Sequence, residues 1–482
     1  MNYRMILRTL SLILIFEAIF LLVPIVTALF YQEGQIFYFL ITAGICAVLG
    51  SAGLLIKVKN HSIYSKEGFV IVSLSWIVMS LFGALPFYLS GATPTYIDAL
   101  FETVSGFTTT GATIIPTGEA IEALPKCLLM WRSFTHWIGG MGVLVFIMVF
   151  LPLSGGRNIN LMKAESPGPS VGKLVPKMRT TAGILYLIYA ALTVLEILFL
   201  VFDMSVFDAI NTAFATAGTG GFSTKGDSFA SCSSYSQIVV TVFMLLFAVN
   251  FGSYFFMLRG RLKEAFNTEV KVFFGVVFAA IALITLNLCL SGNYTYSVGE
   301  AIKHSAFSVA SIISTTGFAT EDFVLWPAFS QTILVLIMFV GACAGSTGGG
   351  IKVSRVVILY KGATHEMKRL LHPKQIKKIS VDKRVVDREV VRGINAYLVA
   401  FILIYVVSML IICLDCQDML INFTAIAATL NNIGPGLGAV GPSGNFAFYS
   451  DISKLVFIFD MLAGRLEIFP MILLFTPSTW RK

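Results

Sequence analysis

Long apolar segments alternate with short polar or basic connections along most of the 482 residues. The first two apolar segments lie near residues 6–30 and 36–56, and each is long enough for a helix across the hydrocarbon core of a bilayer, which takes about 20 residues. One pattern then occurs four times: an apolar outer helix, a short amphipathic helix, a polar turn that contains glycine, and a second apolar helix. The pattern predicts about ten spanning helices together with re-entrant pieces.

The four units have similar lengths, as expected for internal repeats in a transport protein. The outer helices are predicted near 68–90, 181–202, 270–290 and 391–413, the short helices near 95–107, 206–214, 299–307 and 418–424, and the second helices near 128–152, 236–258, 329–359 and 452–476. The domains are then an N-terminal two-helix extension, 1–62, and four pore units, 63–160, 161–262, 263–365 and 366–482. The predicted fold is an all-α membrane protein in which four pseudo-repeated helix–pore-loop–helix units surround one pore, preceded by two additional transmembrane helices.

A glycine-containing turn follows each short helix, at intervals of 110, 96 and 117 residues when counted from one glycine to the next. Glycine permits backbone dihedrals that a side chain disfavours, and irregular backbone at membrane depth must be buried in protein or line a water-filled path. Four such turns around one axis would form a ring of carbonyl oxygens that replaces the hydration shell of a cation. The predicted potassium-filter residues, which act mainly through backbone carbonyls, are Thr109, Thr110, Gly111, Thr219, Gly220, Gly221, Thr315, Thr316, Gly317, Asn432, Ile433 and Gly434.

Composition and charge support a multi-pass membrane protein. Apolar residues make up 56% of the chain and charged residues 12%, whereas a soluble domain carries about 25% charged residues. Twelve Lys and Arg residues lie in 352–392, and the other basic clusters fall on the same side of the predicted helices. The positive-inside rule makes that side, and the N-terminus, cytoplasmic. The net charge of +8 therefore belongs to cytoplasmic loops, and no nucleic-acid partner is predicted.

A run of small residues interrupts the second helix of the third unit. Each glycine in a helix costs about 1 kcal/mol relative to alanine, so the run cannot remain a stable helix. It is either a flexible turn that leads into the basic loop or a loop beneath the filter that occupies or vacates the ion path. The residues of this candidate gate are Gly345, Ser346, Thr347, Gly348, Gly349 and Gly350.

Arg465 lies in the second helix of the fourth unit. A charge at that depth is costly and normally faces the bundle interior or water. Arg465 could form an internal ion pair with Glu467 or Asp460, or it could project a positive charge into the cation path, and the second interpretation is favoured. Arg132 is interpreted as a structural pairing residue. The acids at the starts of the short helices are interpreted as helix caps; they are Asp98, Asp208, Glu300 and Asp418.

Three sequence features together resemble a known superfamily. They are the stretch Trp131-Arg-Ser-Phe-Thr-His-Trp-Ile-Gly-Gly-Met-Gly142, the four turns, and Ala463-Gly-Arg-Leu-Glu467. The chain is similar over nearly its whole length to the TrkH/TrkG/KtrB/HKT superfamily of potassium transporters, and its two N-terminal spans suit the bacterial TrkH type. The fourth turn, Asn-Asn-Ile-Gly-Pro-Gly, departs from the Thr-rich pattern.

The resemblance implies four non-identical pore-loop units around one pore in the bacterial inner membrane. It also implies a homodimer, a cytosolic nucleotide-binding ring of the TrkA type (an RCK ring), potassium as the transported ion, and a gate and barrier formed by the Gly-rich loop and Arg465. In plant relatives a Ser at the first filter glycine accompanies sodium transport, so Gly111 favours potassium. Channel-like flux and proton- or sodium-coupled symport both remain open. A membrane enzyme is the competing class, but the five His residues are dispersed and no catalytic motif of the zinc-protease or serine-hydrolase type appears.

Overall fold

The computed structural model describes residues 1–58, 64–116, 118–142, 178–291, 297–372, 378–382 and 384–480. The predicted end of the first unit's second helix, beyond residue 142, and most of the basic stretch that follows it lie outside the described residues. The described chain is helical apart from one small antiparallel hairpin, in which Ser380–Val381 pairs with Arg384–Val385.

Two N-terminal spans precede the four units, as predicted. The first comprises the consecutive helices Tyr3–Phe20 and Leu22–Tyr31, and the second is Ile36–Leu54. Each unit then begins with an outer helix close to its predicted position. The outer helices are Ser65–Gly83 with its continuation Leu85–Leu89, Met178–Leu200, Thr268–Leu290 and Arg388–Ile412.

Each outer helix is followed by a short helix that we call a pore helix and then by a helix that we call the inner helix. The pore helices are Tyr96–Phe107, Val206–Gly218, Val298–Ile313 and Met419–Leu430. The inner helices are Lys126–Met141, Ser234–Ala248 with Phe251–Leu258, Ala328–Val340 with Val353–Leu371, and Asp451–Arg465 with Phe469–Phe475. Short helical turns complete the described chain at Glu119–Glu122, Leu262–Ala265, Phe323–Leu325, Cys413–Asp415, Gly438–Val440 and Pro477–Trp480.

The inner helices of the second and fourth units are broken, which corrects the expectation of continuous spans there. In the second unit the two pieces meet at an angle of 91°, because Asn250 starts a new helix and accepts a hydrogen bond from the amide of Gly252. In the fourth unit Glu467 and Ile468 have φ values of 56° and 71°, which end the helix. In the described part of the chain, six helices are long and apolar enough to span a membrane, or seven with the bent pair.

The units pack in cyclic order. Each inner helix contacts the pore helix of its own unit and also the pore helix of the next unit, and the fourth inner helix returns to the first pore helix. This order closes the four units into one ring. The outer helices lie outside it, and many of their large apolar side chains are exposed, among them Leu198, Phe278 and Leu410, as expected for a surface that faces lipid.

Of the four acids predicted to be helix caps, only Asp418 is itself the capping residue, and the other three lie in the first turn after a capping hydroxyl. Asp98, Asp208 and Glu300 each lie three residues after the capping Thr or Ser. In the third unit Ser297 and Glu300 form a reciprocal capping box, and hydrogen bonds from the backbone and side chain of Ser297 hold the pKa of the exposed Glu300 carboxyl below its usual value. These carboxylates favour the positive end of each pore-helix dipole.

Candidate ion pathway

All four pore helices end in the same backbone motif. The residue two positions before the key glycine adopts the left-handed conformation, with φ between 55° and 61° in Thr109, Thr219, Thr315 and Asn432. The amide of the following residue donates a hydrogen bond to the carbonyl oxygen five residues earlier. The donor–acceptor pairs are Thr110–Ser105, Gly220–Ala215, Thr316–Ser311 and Ile433–Ala428, with nitrogen–oxygen distances of 2.8 to 2.9 Å. This is the pattern of a Schellman cap, and the fourth turn shares it despite its different sequence.

The glycine that follows also has positive φ in every unit. The values are 78°, 81°, 87° and 99° for Gly111, Gly221, Gly317 and Gly434. A side chain at φ > 0 costs about 1–2 kcal/mol in an ordinary residue. Each turn therefore alternates between the left-handed region and ordinary backbone, which is the kind of conformation that can direct successive carbonyl groups to one side.

Contacts between neighbouring turns close the ring. A Cβ atom added to Gly111 would lie 1.9 Å from the carbonyl oxygen of Gly220, and one added to Gly221 would lie 2.1 Å from that of Thr316. The contact continues from Gly317 to Ile433 at 2.1 Å and from Gly434 back to Thr110 at 2.7 Å. Each glycine thus faces the residue before the glycine of the next unit, and the fourth returns to the first. The structure brings all twelve predicted filter residues together at one site.

Side chains fix the turns from behind the ring. The Thr110 hydroxyl bonds Thr108 at 2.8 Å, and the Thr316 hydroxyl bonds Ser314 at 2.7 Å. Asn432 Nδ2 donates to Thr110 Oγ1 at 3.0 Å and to the Met461 carbonyl oxygen at 2.9 Å. The amide side chain that distinguishes the fourth turn therefore ties it to the first turn and to its own inner helix.

A buried ion pair supports the outer side of the first turn. Arg132 Nε donates to Glu102 Oε1 at 2.8 Å, and both side chains are buried. Glu102 also accepts hydrogen bonds from the Thr113 hydroxyl and the Ile114 amide, which follow the turn. The Arg132 guanidinium lies 4.0 Å from the centroid of the Phe222 ring in the second unit. Arg132 is therefore a pairing residue, as expected, and Glu102 is a supporting residue that the sequence analysis did not identify.

The Gly-rich loop lies directly against the inner side of the third and fourth turns. We define this loop as Gly341–Lys352, between the two pieces of the third inner helix. The Gly349 amide donates to Thr315 Oγ1 at 2.6 Å. A Cβ atom added to Gly349 would lie 2.4 Å from the Asn431 carbonyl oxygen, and one added to Gly348 would lie 2.7 Å from the Ser314 carbonyl oxygen. The small residues of the loop are thus required for this close approach.

Arg465 joins the loop to the first unit. Its guanidinium donates to the carbonyl oxygen of Thr347 at 2.7 Å and to those of Gly139 and Gly140 at 2.5 and 2.7 Å. The acids that the sequence offered as its partners are engaged elsewhere. Glu467 forms a buried ion pair with Arg355, and Asp460 accepts a hydrogen bond from Ser408.

A cavity of about 1040 Å³ lies below the turns, on the side of the basic loops. Its lining includes five of the six predicted gate residues together with Arg465, and also Lys352 and Glu467. The Lys352 ammonium donates to the Gly348 carbonyl oxygen. The sixth predicted gate residue, Thr347, contacts Arg465 from within the wall. Ring, loop and cavity lie in sequence, which is the order of parts in an ion pathway.

Two further cations and one acid beside the loop were missed by the sequence analysis. They are Lys352, Arg355 and Glu269, and all three are buried. Each lies next to an apolar segment of the sequence, where an ionisable residue is a candidate for function, and this position could have identified them. In the described residues, no group of three or more His, Cys, Asp or Glu side chains is arranged to hold a metal ion.

The fold and the site define a multi-pass membrane protein that transports cations. The TrkH family, described as cation transport proteins, matches residues 36–482, and this chain belongs to that family. It is 37% identical to the Trk system potassium uptake protein TrkH of Escherichia coli (strain K12), with complete coverage of both chains. It is 34% identical to the Trk system potassium uptake protein TrkG of the same organism, over 96% of this chain and 95% of that one.

The structural comparison agrees with the sequence comparisons. The crystal structure of the potassium transporter TrkH from Vibrio parahaemolyticus matches this fold with a TM-score of 0.89, at 35% identity and with complete coverage of both chains. The recognition of the superfamily and the helical membrane fold are thus confirmed. The relatives form a family of transporters, which excludes the membrane enzyme that was the competing class.

Proposed function

We propose that this chain forms a potassium-selective pore for uptake across the bacterial inner membrane, with the four turns as its filter. The observation that carries the proposal is the cyclic contact of each filter glycine with the carbonyl of the next unit. Only a closed ring of this kind offers a cation oxygen ligands from four sides. The relatives named as potassium uptake proteins support potassium as the transported ion.

Gly111 is the residue on which the choice of ion depends in this proposal. Because Gly111 has no side chain, the Gly220 carbonyl oxygen can lie close to it. All four turns can then place their carbonyl oxygens around the ion in the same way. The ring then holds the ion through Thr109–Gly111, Thr219–Gly221, Thr315–Gly317 and Asn432–Gly434. The pore units are assigned to 63–160, 161–262, 263–365 and 366–482, after an N-terminal extension of 1–62.

The loop and Arg465 form the gate in this proposal. Residues 345–350 occupy the inner side of the filter, and the Arg465 guanidinium is held there by three carbonyl oxygens. At an effective dielectric of about 20, a unit positive charge about 6 Å from a potassium ion raises its energy by roughly 3 kcal/mol before screening. A loop that withdraws toward the cavity would break the bond to Thr347 and open the path.

The cytosolic side of this gate carries the regulation. The second piece of the third inner helix, Val353–Leu371, is amphipathic and basic and continues from the gate loop toward the cytoplasm. We infer that a TrkA-like nucleotide-binding ring docks on this side of a homodimer, that the N-terminus is cytoplasmic, and that ligand binding to the ring moves the loop.

Arg465→Ala tests the gate. The variant is expected to raise potassium flux per folded protein at least tenfold in proteoliposomes, because the repulsive charge is removed, whereas Arg465→Lys is expected to keep most of the barrier. The matched control is Arg261→Ala, which removes an exposed arginine at the edge of the same cavity. A loss of thermal stability in Arg465→Ala without any rise in flux would show that Arg465 is only structural.

Potassium selectivity is tested separately, by growth of a transport-deficient host at low potassium and by flux in the presence of competing sodium. The wild-type protein should restore growth, and sodium should not replace potassium as the transported ion. Equal fluxes of the two ions would contradict the filter assignment.

A further inference from the structure

Glu269 connects the Gly-rich loop, and the start of the helix that follows it, to the third outer helix. The residue lies in the first turn of that helix, and its side chain is buried. Its Oε1 atom accepts a hydrogen bond from the Ala344 amide at 2.7 Å and from the Ser354 amide at 3.2 Å. Ala344 directly precedes the segment 345–350, and Ser354 follows it by four residues. One carboxylate oxygen thus joins the first part of the loop to the first turn of the helix that follows it.

The helix start that carries Glu269 is itself fixed. Asn267 caps the helix by accepting a hydrogen bond from the Val270 amide at 2.9 Å. The Thr268 amide donates to Asp382 Oδ1, in the cytosolic hairpin, at 2.9 Å. The carboxylate therefore projects from a firm position at the cytosolic end of the span, against a loop whose other hydrogen bonds include one to the second inner helix, from the Cys343 amide to the Ala248 carbonyl oxygen.

The chemistry of the contact explains why an acid is buried here. A hydrogen bond to a charged acceptor is roughly twice as strong as one between neutral groups. The amide of Ala344, in the loop, and the amide of Ser354, in the first turn of the helix that follows the loop, would lose this acceptor if the loop moved away from the filter, and an unpartnered buried amide is costly. The contact thus favours the loop position against the filter over any position away from it.

We propose that Glu269 is the positioning residue that clamps the Gly-rich loop in its closed position. The clamp acts on the gate and does not touch the ion, and the proposal rests on the proposed function of the loop. Opening of the gate then requires that at least one of the two amides leave the Glu269 carboxylate, and the strength of this contact sets the basal flux of the pore.

The experiment compares Glu269→Ala, Glu269→Gln and the control Glu264→Gln in the full-length protein. Glu264 is an exposed acid that lines the same cavity and pairs with Arg261, so the control removes the same charge without touching the loop. Two measurements are made: potassium flux in proteoliposomes, and hydrogen–deuterium exchange of residues 341–354 in the purified protein.

Glu269→Ala is expected to raise basal potassium flux at least tenfold and to abolish exchange protection of the Ala344 and Ser354 amides. Glu269→Gln retains a carbonyl acceptor of the same shape and is expected to give an intermediate rise in both, while Glu264→Gln should match the wild type. Unchanged protection and flux in both Glu269 variants would overturn the clamp. If only Glu269→Gln folds, unchanged protection and flux in that variant would overturn it.

A separate variant distinguishes failure of the clamp from failure of the gate. Deletion of two glycines from 348–350 shortens the loop without altering Glu269. If this deletion raises flux but the Glu269 variants do not, the loop is a gate and the clamp is wrong. If the Glu269 variants lose protection but neither they nor the deletion change flux, the clamp exists and the gate assignment of the loop is wrong.

Discussion

Substitution of Gly111 by Ser is the sharpest test of the filter, because the structure specifies what the new side chain would meet. The Cβ atom would lie 1.9 Å from the carbonyl oxygen of Gly220 and 3.0 Å from its carbonyl carbon. Both are backbone atoms, which cannot turn away as a flexible side chain can. The same position has φ of +78°, which disfavours any residue other than glycine.

Two contributions set the magnitude of the effect. The left-handed conformation costs a non-glycine residue about 1–2 kcal/mol. Relief of the clash requires that the oxygen or Cβ move by roughly 1 Å, the difference between 1.9 Å and the closest separation of about 3.0 Å that Cβ atoms tolerate. A displacement of that size in one quarter of the ring changes the ligand distances of the ion, and a change of about 1.4 kcal/mol in relative binding is a tenfold change in selectivity.

The assay measures the ratio of potassium to sodium flux in proteoliposomes, with thermal stability of the purified protein measured in parallel. Gly111→Ser is expected to lower the ratio at least tenfold. Gly434→Ser should lower it less, because the nearest carbonyl oxygen there is 2.7 Å away. Gly183→Ser is the matched control, since a Cβ atom at this outer-helix position has no neighbour within 4 Å. An unchanged ratio in folded Gly111→Ser protein would refute the assignment of this turn to the filter.

Two further predictions concern buried ion pairs that hold the ring together. Arg132→Ala should lower the free energy of unfolding by about 3–5 kcal/mol, because Glu102 would remain buried without its partner. Chemical denaturation of the detergent-solubilised protein measures this free energy. A decrease of less than about 1 kcal/mol would contradict the supporting role of Arg132. Lys454→Met should destabilise the protein for the same reason, since the Lys454 ammonium lies 2.7 Å from the Asp98 carboxylate in a buried pair between the fourth inner helix and the first pore helix. Addition of Asp98→Asn to this variant should recover part of the lost stability. A further, additive loss of stability would show that the two residues act independently.

The four units and their turns could be predicted from the sequence because their signals are local. A capping Ser, Thr or Asp, an amphipathic helix and a glycine with positive φ lie within about 20 residues of one another in each unit. The fourth turn shows how far this reasoning extends. Asn432 replaces Thr in sequence yet has the same left-handed backbone, because Asn is one of the residues that occupy the left-handed position of a Schellman cap.

The breaks in the second and fourth inner helices were not predicted, and the reason differs between them. Val249 and Asn250 lie in an apolar run without a glycine cluster, and the cap formed by Asn250 appears only in the structure. In the fourth unit Glu467 adopts positive φ while its carboxylate pairs with Arg355. That partner is 112 residues away in the chain, so no window of sequence contains both groups.

The difference between the units has a physical consequence for the proposed gate. A symmetric ring would place four arginines at the level of Arg465, and their mutual repulsion in a confined space would oppose folding. Here one arginine is held by carbonyl oxygens from the third unit, Thr347, and from the first unit, Gly139 and Gly140. A single charge from the fourth unit thus connects three units. Because only the third unit carries the Gly-rich loop among the described inner helices, movement of that one loop removes one of these bonds and leaves the backbone of the filter intact. In the proposed function, the departure from fourfold symmetry therefore separates the turns that select the ion from the loop that admits it.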